Sequence, residues 1–448
     1  MLLKGKYLSI LTLLLLSCSK LYAQDSTLVG TTIKWDLSKC IDYAKKSNYN
    51  INSLRLSMQT SQQEYELAKA ARLPNLSGSV SQNFTHYNSN ANGVNGGSSS
   101  GFGASGNYGL SSSVTLYNGN YINNTILQKN LAIQSSNLSV LQQENDITLQ
   151  ITQAYLAILL DKENIIYDTD LVNTAKAQVK LEQQRYDVGS AARKDLIQLQ
   201  AQQANDQYTL VNVQNAQRGD LLTLKQLLFL PSDIYFDIVK PDTIVSTADT
   251  VSLRDAQNLA YKTRPEIKNG LLGVQIAQYD VAKARSGYLP SLVAGGSIGS
   301  GYQTGLGRGY FGQLNDNFNQ QIGLTLAIPI FTKRVVKTQV EEAKIVVEQS
   351  KLDLQNTKVV LSENVERAYI NLQNAQGQYD AAAEQYKFNQ EAYRIANEQL
   401  KVGVANIVDF LLQKNLFVQA QQAFLQAKYN VILSLKIYDF YRGVPIKL

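Results

Sequence analysis

The chain is two copies of one plan. Leu37, Ala44, Ile51, Ala68 and Leu73-Pro74 line up with Leu253, Ala260, Ile267, Ala284 and Leu289-Pro290 at a constant offset of 216. Further along the offset becomes 214: Ala154-Tyr155 matches Ala368-Tyr369, Val188-Gly189 matches Val402-Gly403, and Asp195 matches Asp409. A repeat this long is a duplicated domain rather than a short-period solenoid. Whatever one half folds into, the other must fold into as well. The expected division is a first repeat over 35–245 and a second over 251–442.

Each copy carries the same order of elements. Helices run to the Leu-Pro joins (37–73 and 253–289) and stop there, because the residue before proline disfavours helix. A pair of strands follows, about 77–117 and 291–331. The clearest signal is Ile322, Leu324, Leu326, Ile328 and Ile330, alternating with Gln321, Gly323, Thr325 and Ala327. Phe102, Tyr108, Leu110, Val114 and Leu116 keep a similar parity. Period two over some ten residues suits a tilted barrel strand. Loops are expected at 88–101 and 305–317, and the Gly-rich run 93–109 reads as an external loop.

Long helical hairpins close each copy, over 120–230 and 333–441. The outgoing helices, 120–187 and 333–401, would each be on the order of 100 Å long. Val340, Val347, Leu354, Leu361, Ala368, Ala375 and Ala382 form a strict heptad, the pattern of supercoiled packing. Val188-Gly189 and Val402-Gly403 turn the chain back. The returning helix, roughly 60 Å, and the helix before the strands, roughly 36 Å, together match the long one in length. The two shorter helices are therefore expected to stack end to end against it.

The N-terminus marks export. Lys4 and Lys6 precede an apolar core over 8–17, and Leu21-Tyr22-Ala23 precedes Gln24, the form of a secretory signal peptide spanning 1–23. A second processing route is open: Leu15-Leu16-Ser17-Cys18 resembles a lipobox, which would make Cys18 a lipidation site. Cys40 is the only other cysteine, so no intrachain disulfide framework survives either route. After the signal no run of 18 apolar residues occurs, which excludes a helical-bundle membrane protein but not a β-barrel. The net charge of +6 is too small and scattered to indicate nucleic acid.

Four strands cannot close a barrel, and in lipid an open edge leaves costly unpaired backbone groups. Three chains would supply twelve strands, within the range barrels use. The helices point the same way, since a narrow apolar stripe on a 100 Å rod makes the stave of a hollow cylinder rather than a globular core.

Arg185-Tyr186-Asp187-Val188-Gly189 followed by Asp195, and Leu400-Lys401-Val402-Gly403 followed by Asp409, resemble the TolC outer-membrane efflux family. The Leu-Pro joins and the duplication add to the likeness, which covers about 35–442. The resemblance implies a mostly α fold with a β-barrel part: a homotrimer whose hairpins form an α-barrel in the periplasm and whose strands form a 12-stranded barrel in the outer membrane. It implies passive export, with a periplasmic adaptor protein and an inner-membrane pump as partners and outer-membrane lipid around the barrel. It places Val188, Gly189, Val402 and Gly403 at adaptor-contacting tips, and Asp195 and Asp409 just inside a periplasmic entrance gate. Here the chain departs from the family pattern. A second aspartate common in the family is Leu412, and Ala405 and Leu400 stand where an arginine and a tyrosine tie the closed entrance. A simplified gate of Asp195, Asp409 and Leu412 is expected.

Plainer readings stand beside these. Asp195 and Asp409 also suit the N-terminal turn of a helix, and Gly189 and Gly403 need only be turns. His86 is the single histidine and is expected to face solvent. One histidine and two distant cysteines make no metal site, no nucleophile has a partner histidine in its repeat, and nothing calls for a cofactor. Tyr87, Tyr108, Tyr117, Tyr302 and Tyr310 are candidates for interfacial girdles. Other functions remain in view: a duct for type I protein secretion or metal efflux, or a coiled-coil envelope protein without a pore. Two amphipathic strand pairs at matched positions argue against the last.

Overall fold

The computed structural model describes residues 32–90, 98–241, 251–305, 307–404 and 406–446. Segment 1–23, with Cys18 and the cut after Ala23, lies outside the described residues, as does Ala405. The first half contains β1 (Ile33–Trp35), α1 (Leu37–Ser47), α2 (Tyr49–Ala70), β2 (Asn75–Asn90), β3 (Ser98–Asn118), α3 (Tyr121–Asp187), α4 (Arg193–Leu227) and β4 (Phe236–Ile238). The second contains α5 (Leu253–Thr263), α6 (Pro265–Arg285), β5 (Ser291–Gln303), α7 (Tyr310–Asp316), β6 (Asn319–Ala327), α8 (Val335–Lys401) and α9 (Ile407–Arg442). The fold is mostly helical.

The backbone repeats as faithfully as the sequence. Left-handed residues recur in pairs 214 positions apart: Gly119 with Lys333, Asn120 with Arg334, Gly189 with Gly403, and Phe229 with Gly443. These are the corners where strands hand over to α3 and α8, where each hairpin turns, and where each returning helix ends. Gly119 has no alternative residue type available. A Cβ there would lie 2.8 Å from the Ser286 carbonyl oxygen and 2.9 Å from Leu289 Cβ.

The long helices organise the packing of each repeat. α2 and α4 both pack on α3, while α6 and α9 pack on α8 and also touch α3. The seven heptad residues of α8, Val340 through Ala382, are all buried. The short helices meet end to end. At the α2–α4 junction the rings of Tyr49 and Phe229 lie 4.7 Å apart, and Asn48 caps α2 by accepting from the backbone of Asn50 and Ile51. At the α6–α9 junction Arg264 takes the place of Asn48. Its guanidinium stacks 4.1 Å from the Phe440 ring centroid and is held by Glu266 at 2.6 Å.

A small parallel sheet, β1 beside β4, closes the waist of the first repeat. The Tyr155 hydroxyl donates to the Val239 carbonyl at 2.6 Å, and Lys162 pairs with Asp237 at 2.6 Å. Trp35, Cys40, Ile51 and Leu159 form the core beneath it.

Two loop expectations change. The Gly-rich run is largely strand: β3 begins at Ser98 and pairs with β2 and then β5. Its glycines admit neighbours rather than loosen the chain, as a Cβ on Gly106 would lie 2.6 Å from the Tyr302 ring. The segment after β5 contains the short helix α7 rather than loop alone. The alternation ending at Ile330 also outlasts its strand, because β6 stops at Ala327 and Pro329 cannot donate to a ladder.

Candidate membrane sheet and channel entrance

β2, β3, β5 and β6 form one antiparallel sheet in that order. Its pairing sorts side chains by face, because directly opposed residues point the same way. Val80 is opposite Tyr108 and Gly78 opposite Leu110. Tyr108 is then opposite Ser300, and Leu110 opposite Ile298. Ala294 is opposite Leu324 and Gly296 opposite Ile322. One face therefore carries Leu76, Val80, Phe84, Leu110, Ile322 and Leu324, with Ile322 93% and Val80 78% exposed. The other carries Ser77, Ser81, Asn83, Ser111 and Gln321, knitted by bonds such as Ser77 Oγ to Ser111 Oγ at 2.9 Å. A bulge between Thr115 and Tyr117 shifts the parity, so that Tyr117 sits opposite Leu292 on the apolar side.

Such a sheet has an oily face, a wet face and two unpaired edges, along β2 and β6. Among the described residues no helix is long and apolar enough to cross a membrane. Tyrosines gather on the apolar face where β5 ends. Tyr302 accepts from Gln82 Nε2 at 2.6 Å, and its ring lies 4.7 Å from that of Tyr310. Tyr310 donates to the Tyr108 hydroxyl at 3.2 Å. His86 is exposed and packs its ring 4.7 Å from Phe102. The side chain of Tyr87 lies outside the described residues.

At the opposite end both hairpin turns are Schellman motifs, which satisfy the last helical carbonyls. Gly189 and Ser190 donate to Tyr186 and Arg185, and Gly403 and Val404 donate to Leu400 and Gln399. Gly189 and Gly403 sit at φ +75° and +77°, with open space where a Cβ would be. Glycine is needed there for its backbone alone. Val188, Val402 and Val404 are each more than 70% exposed, an apolar group at the tips. Arg185 Nη2 donates to the Lys401 carbonyl at 2.8 Å, joining the two tips through an orphan acceptor at a helix end.

Asp195 lies in the first turn of α4 and Asp409 in the first turn of α9. Asn406 caps α9, its Oδ1 accepting from the Asp409 backbone at 2.9 Å. The macrodipole favours a carboxylate at both places. Leu412, one turn beyond Asp409, is 54% exposed, whereas Phe410 is fully buried against Leu199, Ala396 and Ile407. Asp409 and Leu412 thus share the face turned away from the chain's own core.

Sequence reasoning missed the polar contacts that join the two hairpins. Gln178 Nε2 donates to Asn397 Oδ1 at 3.1 Å, and Lys428 pairs with Glu163 at 3.0 Å. Between them lies the buried pair Lys414–Asp206 at 2.5 Å. One signal was available: Asp206 and Lys414 correspond to Ala420 and Gln200 in the other repeat, so each is a charge that breaks the symmetry.

Comparisons with known proteins agree with this geometry. The chain is 25% identical over 203 residues to the alkaline protease secretion protein AprF of Pseudomonas aeruginosa, covering 42% of this chain and 39% of that one. It therefore spans well under half of that relative. It is 22% identical over 340 residues to the outer membrane efflux protein BepC of Brucella suis, covering 73% and 69% of the two chains. The fold matches the Campylobacter jejuni CmeC outer membrane channel with a TM-score of 0.73 at 20% identity, over 91% of this chain and 85% of that one. A family model described as outer membrane efflux protein matches residues 40–228 and 257–436. With both repeats matched, the chain belongs to the outer membrane efflux protein family.

Proposed function

We propose that three copies of this chain close a twelve-stranded barrel in the outer membrane, continued by a helical tunnel in the periplasm, and that substrates leave the cell through it passively. The observation that carries this is the four-stranded sheet, with one apolar face, one face of serine, asparagine and glutamine, and two open edges. Pairing β6 of one copy with β2 of the next removes every edge. The apolar face then meets lipid and the polar face lines water.

On this reading the tips project into the periplasm. Val188, Gly189, Val402 and Gly403 offer exposed apolar contact to a periplasmic adaptor joined to an inner-membrane pump. Asp195, Asp409 and Leu412 form the entrance gate. Three copies of Asp409 around an axis concentrate negative potential and favour cations, while Leu412 supplies an apolar constriction.

Detergent-solubilised protein should have the mass of three chains and conduct ions in planar bilayers, and a monomer without conductance would sink the proposal. Asp409→Ala should reduce cation preference, and unchanged selectivity would remove Asp409 from the gate. The likeness to a protease secretion protein favours a second cargo reading. A deletion strain separates the two: efflux raises antibiotic susceptibility, and secretion depletes exported proteins.

A further inference from the structure

The packing seam of α3 changes character along its length. At heptad spacing it reads Ile126, Ile133, Val140, Ile147, Ala154, Asp161 and Asp168. The equivalent seam of α8 ends instead in Ala375 and Ala382, both buried. Aspartate has replaced alanine at two core-facing positions, and only in the first repeat. Asp168 is just 6% exposed, and its Oδ2 has no hydrogen-bond partner.

Asp168 lines a cavity of about 270 Å³ between α3, α4 and α9, which opens to solvent where Asn205, Asn415, Gln419 and Gln422 are exposed. Gln202, Asn205, Thr209, Asn415, Gln419 and Gln422 line it too. Asp206 is the other carboxylate there, and both of its oxygens are engaged. Oδ1 accepts from Gln202 Nε2 at 2.9 Å, and Oδ2 takes the Lys414 ammonium, which is fully buried.

The charges can be counted. Asp206 and Lys414 cancel, which leaves the single charge of Asp168 without compensation. An ionised carboxylate this little exposed, with an oxygen that has no protein partner, favours a counter-charge beside it. Apart from Leu171 and Val418, the remaining lining is amide and hydroxyl groups, whose oxygens are hard, neutral ligands suited to alkali and alkaline-earth ions. One positive charge balances the site, whereas two would leave a buried surplus.

We infer that the cavity between α3, α4 and α9 binds a monovalent inorganic cation, held by the Asp168 carboxylate and the side-chain oxygens around it. The ion ties the first hairpin to the second, because α3 and α4 belong to one and α9 to the other. A proton competes for the same oxygen: burial, with Asp206 adding to it, pushes the Asp168 carboxyl up to about 6. The charged group facing Asp168 is Asp206 from α4, which is itself paired with Lys414 from α9. The site stands independently of the cargo and of the gate.

Full-length protein in detergent tests this at about pH 8, where Asp168 is ionised. Unfolding temperatures are compared in sodium, potassium and N-methylglucamine chlorides at equal concentration. The expected result is a saturable rise of several degrees with sodium or potassium, absent in Asp168→Asn and fading in the parent protein toward about pH 5. Equal unfolding temperatures in all three salts would overturn the site without reference to any variant. Stability that follows pH but not the cation would assign Asp168 to a proton alone and overturn it equally. A cation effect that persists in Asp168→Asn places the ion elsewhere. Crystals soaked in thallium(I) should show an anomalous peak beside Asp168 Oδ2, and an empty cavity would refute the inference.

Discussion

Phe229 and Gly443 occupy the same position of the two repeats, and both are left-handed, at φ +54° and +79°. Each ends a returning helix in a Schellman turn: Leu230 donates to Lys225 in one, and Val444 to Asp439 in the other. The second repeat meets the backbone requirement with glycine. The first accepts the strain of a phenylalanine and gains its ring contact with Tyr49. Left-handed backbone costs a side chain roughly 1–2 kcal/mol. Phe229→Gly should therefore be more stable than Phe229→Ala by about 1 kcal/mol, although both lose the same ring. Denaturant unfolding of the two variants measures that difference directly. Gly443→Ala should be destabilising, since its Cβ would also press on Thr263 at 3.1–3.2 Å.

The tips separate stability from function. Val188, Val402 and Val404 are exposed and belong to none of the three core clusters. Changing all three to serine should move stability by less than about 0.5 kcal/mol per site. If the adaptor docks there, the same variant should lose most of its complementation of a deletion strain while keeping its oligomeric mass. Full complementation would place the docking surface elsewhere.

Asp161 gives a pH dependence whose sign is fixed. Burial comes first and the neighbouring Asp220 second, and together they push its carboxyl up to about 6. A raised carboxyl binds its proton more tightly folded than unfolded. Its contribution to stability is thus fully present below the unfolded value near 4 and is lost as pH rises through about 6. The protein should become more stable on acidification from about pH 7 to about pH 5, before other carboxylates reverse the trend. Asp161→Asn keeps the shape and removes the titration, so its unfolding temperature should be higher near neutral pH and flatter across this window.

What could be read in advance was what repeats. The heptad from Val340 to Ala382 marks the buried seam of α8 because a seven-residue period forces those side chains onto one line. Gly189 and Gly403 stand out as turns because both copies break at the same place. Gly103 and Gly106 misled, since glycine-rich composition resembles a loop while these glycines lie within β3. Only the pairing of β3 with β5, across nearly two hundred residues, places Tyr302 over Gly106. The Asp206–Lys414 pair was hidden for a related reason: it joins different repeats through packing that no local pattern encodes. Its one trace was a departure from the duplication.

Gly106 provides the sharpest test of the sheet. A methyl group there would meet the Tyr302 ring at 2.6 Å and Gln82 Oε1 at 2.8 Å. Gly106→Ala must therefore displace the Tyr302 ring and the Gln82 amide, and disturb the bond between them. Gly323 lies on the same sheet with open space where a Cβ would be, so Gly323→Ala serves as its control. Overpacking of this kind costs about 1–3 kcal/mol. If three chains share one barrel, as proposed, the cost is incurred once per chain and three copies multiply it. Gly106→Ala should dissociate and unfold at a clearly lower temperature than the parent protein in a heat-modifiability gel, with Gly323→Ala close to the parent. Equal behaviour of the two variants would mean that the Tyr302 and Gln82 side chains do not rest on Gly106 in the folded protein.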